Sequence, residues 1–226
     1  MPDAVMLFAA GFGTRMGALT SDRPKPLIKV AGLPLIDHAL GLVRDLAPSQ
    51  IVVNAHYKAQ QIVDHVAGTG VRVAVETPDI LDTGGGLKAA MPLLESDVVF
   101  TMNTDAVWTG PNPLDTLAEA WDPTRMDALL LLVPPERTRA HSGAGDFRLA
   151  QDGRAERGGA LTFTGAQIVK AGAVAAHPPG AFSLNAVWDG LATRRRLFGT
   201  LHPGLWCDVG HPGGIDEAER MLAEAR

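Results

Sequence analysis

Residues 9–27 read AAGFGTRMGALTSDRPKPL and follow directly on the apolar run Ala4-Val-Met-Leu-Phe8. An apolar strand over Ala4–Ala10 that opens into a glycine-rich loop is the usual cradle of a phosphate. Two familiar patterns do not fit. The dinucleotide fingerprint G-x-G-x-x-G needs a glycine where Met16 stands, and no G-K-[ST] triplet follows. Gly11 and Gly13 let the backbone turn tightly, so that successive N–H groups face one anion. Arg15 adds a planar fork for a polyphosphate and Lys25 a compact charge. Pro24 and Pro26 restrict the backbone around Lys25. The alternative is a solvent-exposed loop with incidental charges.

The remaining segments predict an alternation of strands and helices. Leu33–Ala47 has helical apolar spacing, and Ile51–Asn54 is a short β-branched strand. A helix over Ala59–Val66 and a strand over Val71–Val75 follow. Then come a helix over Gly86–Leu94, a strand over Asp97–Met102, a helix over Pro113–Trp121 and a strand over Ala128–Val133. Apolar strands between amphipathic helices imply a Rossmann-like α/β fold, a mostly parallel sheet sandwiched by helices. From Gly145 to Thr164 the segments DFRLAQDG and ALTFTG read as hairpins, the centre of a small β-rich insertion at about 141–180. A helix over Phe182–Arg194, two short strands within Leu197–Val209 and a helix over Ile215–Ala225 close the chain. With no linker or internal repeat, one domain over 1–226 is expected.

The 226 residues carry a net charge of −5, and that balance argues against a nucleic-acid partner. The basic cluster Arg194-Arg195-Arg196 reads as a solvated helix end. The single cysteine, Cys207, rules out an internal disulfide and a cysteine zinc site. No leader peptide or apolar run of the roughly 20 residues that span a bilayer is evident, so a cytoplasmic protein away from membranes is expected.

In open α/β sheets ligands bind at the C-terminal strand ends. That edge gathers the glycine loop, Asp105 after the 97–102 strand, and Asp208 in Trp206-Cys-Asp-Val-Gly210. Asp105 is either a cap or a ligand for a hard cation, Asp208 is a carboxylate among apolar residues that needs a partner, and together they would make a Mg2+ platform. Thr83-Gly-Gly-Gly86 lies before a predicted helix, as a flexible cap or as a close approach to a flat base. His56 follows Asn54 at a strand exit, where it could line the site; the other histidines lack zinc spacing, and no G-x-S-x-G occurs.

Leu7-Phe-Ala-Ala-Gly-Phe-Gly-Thr-Arg-Met16, Pro24-Lys-Pro-Leu27, Thr83–Gly86, Asn103-Thr-Asp105 and Trp206–Gly210 together resemble the sugar-1-phosphate nucleotidyltransferases. The resemblance implies the nucleotide-diphospho-sugar transferase fold and transfer of a nucleoside monophosphate from an NTP to a sugar 1-phosphate, with pyrophosphate leaving. Asp82–Gly86, Gly145–Leu149 and Leu161–Gly165 are similar to the N-acetylmuramate-1-phosphate uridylyltransferases of peptidoglycan recycling, implying UTP as donor. Another sugar 1-phosphate or phosphocholine is the alternative acceptor, and a non-catalytic nucleotide sensor is the rival class. No hexapeptide-repeat β-helix follows, so the bifunctional acetyltransferase type is not expected.

Carried onto this chain, the resemblance implies that Arg15, Lys25, Asp105 and Asp208 are catalytic, with Asp105 and Asp208 holding Mg2+. Ala10, Gly11, Gly13, Thr14, Arg15, Lys25, Asp82, Gly84 and Asn103 would bind nucleotide, and Gly145, Asp146, Thr164 and Asn185 sugar. Asp82 and Thr104 stand where relatives of other specificity carry glycine, and Leu161–Gly165 lacks the acidic or lysine sugar ligand of hexose-specific relatives. The expected partners are the two substrates, for a monomer or weak homo-oligomer.

Overall fold

A computed structural model describes residues 2–225. The first half is β1 (Ala4–Phe8), the small pair β2 (Lys29–Val30) and β3 (Leu33–Pro34), α1 (Leu35–Asp45), β4 (Gln50–Ala55), α2 (Ala59–Val66) and β5 (Arg72–Val75). Then come α3 (Asp82–Leu94), β6 (Val98–Asn103), β7 (Ala106–Trp108), α4 (Pro113–Ala120), β8 (Ala128–Val133) and β9 (Thr138–Arg139). The last third holds β10 (Phe147–Leu149), β11 (Ala155–Arg157), β12 (Thr162–Lys170), α5 (Ala171–Ala175) and α6 (Leu184–Thr193). It closes with β13 (Leu197–Leu201), β14 (Trp206–Asp208) and α7 (Pro212–Glu224).

Seven strands form the main sheet in the order β13-β8-β12-β6-β1-β4-β5. Only β12 runs against its neighbours; every other adjacent pair is parallel. Side chains alternate across the strands, and the two faces are therefore both apolar. Val5, Leu7, Val53, Phe100 and Leu131 pack under α1, α2 and α4, against Ile36, Leu40, Ile62, Leu114 and Leu117. Ala4, Met6, Val52, Val99 and Leu130 face the other way, against Leu87 and Leu94 of α3 and Leu184, Val187 and Leu191 of α6. The mostly parallel sheet between helices expected from the sequence is what forms.

The stretch expected to be hairpins is divided. Phe147–Leu149 and Ala155–Arg157 do pair antiparallel outside the main sheet. Thr162–Lys170, by contrast, is a nine-residue strand in the middle of that sheet, between β6 and β8. Its polar residues are buried and satisfied. Thr164 Oγ1 donates to the Leu131 carbonyl at 2.8 Å, and Gln167 bridges Thr101 Oγ1 at 3.1 Å and Trp188 Nε1 at 2.9 Å. Gly165, at φ +86°, sits where the pairing with β8 shifts register between Phe163 and Gln167.

Helix α3 starts four residues before the predicted Gly86, at Asp82. The three glycines are thus inside its first turns, and each is small because something packs there. A Cβ on Gly84 would stand 2.4 Å from the Phe182 ring, one on Gly85 2.3 Å from the Gly180 carbonyl, and one on Gly86 2.5 Å from Glu76 Oε1. The close approach is by the protein's own chain.

A second, three-stranded sheet, β7-β14-β9, stands beside the main one. Its register puts Asp208 opposite Ala106, and Val209 N–H donates to the Asp105 carbonyl at 2.9 Å. Met16, Ile28, Val107, Cys207, Val209 and Met221 form a third apolar cluster that seats it against α7 and the glycine loop.

Candidate active site

Phe8, Ala55, Val75 and Asn103 end four strands at one edge of the sheet, where a cavity of about 330 Å³ opens. Ala10, Gly11, Gly13, Thr14, Arg15, Lys25, Asp82, Asn103 and Asp105 all line it. The glycine loop turns as its sequence demands. Gly13 has φ +65°, and a Cβ there would lie 2.9 Å from Cβ of Lys25, so the loop wraps the lysine stem. Thr20 Oγ1 donates to Gly17 O at 3.1 Å, and Met16 N–H to Gly13 O at 2.9 Å, which closes the turn. Among the described residues the N–H groups of Gly11, Phe12 and Gly13 have no protein acceptor and remain for an anion.

Lys25 is only 8% exposed, and its Nζ donates to Asp105 Oδ2 at 2.8 Å. Asp105 is placed by Thr104, whose N–H and hydroxyl both donate to the Phe8 carbonyl, at 3.3 and 2.7 Å. Asp208 arrives from β14. Burial pushes its carboxyl up, and the negative Asp105 beside it adds to the rise against the pull of Lys25, Arg15 and His141. Gly210 separates it from Arg15: a Cβ there would be 2.9 Å from Asp208 Oδ1 and 3.2 Å from Arg15 Nη1. The two aspartates, far apart in sequence, are thus brought near enough for each to feel the other's charge, with Lys25 and Arg15 beside them.

Two facing carboxylates suit a hard divalent cation. Mg2+ takes one or two carboxylates and completes its octahedron with substrate phosphates and water. No group of three or more His, Cys, Asp or Glu side chains poised to enclose a metal occurs among the described residues. The donor set thus fits an ion shared with a phosphate substrate. Cys207 takes no part: it is fully buried, and burial foremost pushes its thiol up to about 12.

A second cavity, of about 250 Å³, continues from the first and shares Phe8, Asp82, Thr83 and Asn103 with it. Asp146 and Asn185, two of the residues expected to bind sugar, line it, and Asp146 Oδ2 accepts from Phe163 N–H at 2.9 Å. Three expected ligands lie elsewhere. Thr164 is 2% exposed and spends its hydroxyl on Leu131. Gly145 faces the backbone of Gly159 and Ala160 at the hairpin base. Gly84 lies beneath Phe182, its N–H held by the Phe182 carbonyl at 2.9 Å.

Asn54, Glu76, Ile80 and Gly210 in the first cavity, and Arg157, Phe163, Gln167 and Trp188 in the second, were not singled out from the sequence. The glycine of Asp-Val-Gly210 was visible as a motif but not as a spacer. Nothing local marks Asn54 or Glu76, which are read only once β4 and β5 lie side by side. His56 does not line the cavity; Nδ1 contacts the Glu76 carbonyl at 2.9 Å and the ring meets Phe12 edge-on.

A glycine loop with Arg15, a buried lysine and paired aspartates at the strand ends of such a sheet defines a nucleotidyltransferase. The chain belongs to the MobA-like NTP transferase domain family, whose model matches residues 5–206. It is 39% identical to an N-acetylmuramate alpha-1-phosphate uridylyltransferase of Caulobacter vibrioides, over 99% of this chain and 98% of that one. It is 32% identical to the protein of the same name from Neisseria meningitidis serogroup B, over 96% of each. The crystal structure of HddC from Yersinia pseudotuberculosis complexed with GMP-PN shares the fold, with a TM-score of 0.78 at 21% identity over 97% of this chain and 99% of that one.

Proposed function

We propose that the chain joins UTP to N-acetylmuramate 1-phosphate, giving UDP-N-acetylmuramate and pyrophosphate. The observation that carries the reaction class is the gathering of Arg15, Lys25 and Asp105 in the first cavity, with Asp208 near enough to feel the charge of all three. The choice of sugar and base rests on the two full-length relatives.

The sugar phosphate is already anionic, so its oxygen needs no base to attack the α-phosphorus. One P–O bond forms, and the bond to the bridging oxygen of the β-phosphate breaks. Arg15 and the free amides of Gly11 to Gly13 face the departing pyrophosphate and offset its charge. Lys25, held by Asp105, sits where the two reacting phosphates must approach one another. Asp105 and Asp208 would hold Mg2+, which when bound supplies Lewis-acid polarisation of the phosphate oxygens. Asp82 and Asn103 line both cavities and so orient the two substrates toward each other.

The described residues contain no helix long and apolar enough to cross a membrane. We place the reaction in the cytoplasm, in peptidoglycan recycling. The chain is read as a monomer or a weak homo-oligomer working as a single nucleotidyltransferase unit. Pyrophosphate release from a panel of sugar 1-phosphates against the four NTPs tests the assignment. UTP with N-acetylmuramate 1-phosphate should give the highest kcat/KM; a tenfold preference for another pair would overturn the substrates and keep the reaction.

A further inference from the structure

Among the described residues that line the second cavity, Arg157 is the only cation. Its guanidinium is fixed on two sides. Nε donates to Asp189 Oδ1 at 2.9 Å, Nη2 stands 2.9 Å from the same oxygen in an ion pair, and Nη2 donates to the Asn185 carbonyl at 3.3 Å. The plane lies over the rings of Phe147, at 4.8 Å, and Trp188, at 5.5 Å. Nη1 has no protein acceptor among the described residues. A guanidinium anchored through Nε and Nη2, with Nη1 free, offers a preset charged N–H group to a carboxylate.

The reacting phosphate does not explain this cation, because Arg15 and Lys25 already meet it in the first cavity. A neutral hexosamine does not explain it either, since hydroxyls and an acetamide need no full charge. The group it matches is a carboxylate carried on the sugar ring, remote from the phosphate. N-acetylmuramate differs from N-acetylglucosamine by such a group, an O-lactyl ether ending in a carboxylate. We propose that Arg157 is a specificity-determining residue that binds the lactyl carboxylate, and that Asp189 is a positioning residue which holds the fork. This rests on the substrate reading given above.

The test compares N-acetylmuramate 1-phosphate with its lactyl carboxamide, which keeps the shape and removes the charge. On the unmodified protein kcat/KM should favour the acid by about tenfold or more, the discrimination a missing charged partner in a polar site produces. In Arg157→Gln the preference should fall to within about threefold of unity, through loss on the acid, with KM for UTP unmoved. Arg157→Met, which keeps the apolar packing on Phe147 and Trp188, should collapse the ratio in the same way. A ratio unchanged in both variants, or an equal loss on acid and amide, overturns the proposal and leaves Arg157 a structural ion pair. If the unmodified protein turns over neither compound, the substrate reading fails, and the inference with it, before any variant is made.

Discussion

Asn54 and Glu76 meet at 2.7 Å in the floor of the first cavity, each no more than 3% exposed. Asn54 Oδ1 also accepts from Ala9 N–H at 2.8 Å, and Glu76 Oε2 from Leu81 N–H at 2.7 Å. The pair thus ties the start of the glycine loop to the start of α3, across the ends of β1, β4 and β5. Glu76→Ala strands two buried donors and should cost about 2–3 kcal/mol in a denaturant titration. It should also raise KM for UTP more than it lowers kcat, since the loop geometry is what it holds. An unchanged KM would show that the loop keeps its shape without the brace.

Two of the residues expected to bind the sugar divide by what they touch. Asn185→Ala should raise KM for the sugar phosphate several-fold, because Asn185 faces the second cavity. Thr164→Val should leave that KM alone and cost about 1 kcal/mol of stability, its hydroxyl being spent on a buried carbonyl. A Thr164→Val enzyme with impaired sugar binding would contradict the placement.

Arg15→Ala should lower kcat at least about tenfold with little change in stability, as expected for an exposed group that offsets charge on a leaving group. Steady-state pyrophosphate release and a melting curve separate the two effects. Loss of the fold would contradict the assignment.

Asp127 offers a pH test away from the site. Burial pushes its carboxyl up, but Arg196 and Lys170, at 3.0 and 2.9 Å, outweigh burial and hold it below the usual range. A depressed carboxylate stabilises the fold above its unfolded pKa of about 3.9, and that contribution is lost as pH falls through the folded value. Asp127→Asn should therefore be about 1 kcal/mol less stable at pH 7, a figure discounted for partial exposure. The gap should narrow below about pH 4. A gap that widens in acid would reverse the sign of the argument.

Much of this was legible in the chain. The strand–loop–strand periodicity that gives β1, β4, β6 and β8 is local, and so is the glycine loop with Arg15 and Lys25. The aspartates were singled out because Asp105 follows an apolar strand and Asp208 is bracketed by apolar residues. β12 was hidden because its burial includes Thr164, whose partner is Leu131, and Gln167, whose partners are Thr101 and Trp188, all on other elements. Polar residues inside a sheet look like turn residues until the acceptors are known. The glycines of α3 were misread for the same reason: the contacts that demand them, from Phe182, Gly180 and Glu76, are long-range. Arg157 carried no signal at all, since its meaning depends on which cavity it faces.

The central claim is that Asp105 and Asp208 together support transfer of the nucleotidyl group. It is tested most directly with UTP labelled separately at the α- and γ-phosphates, in the presence of Mg2+ and N-acetylmuramate 1-phosphate. The α-label should appear in the nucleotide sugar and the γ-label in pyrophosphate. Both should fall at least about a hundredfold in Asp105→Asn and in Asp208→Asn, each still folding cooperatively, as for loss of a main electrostatic support. Near-full turnover in either variant, or γ-label in the sugar product, would contradict it.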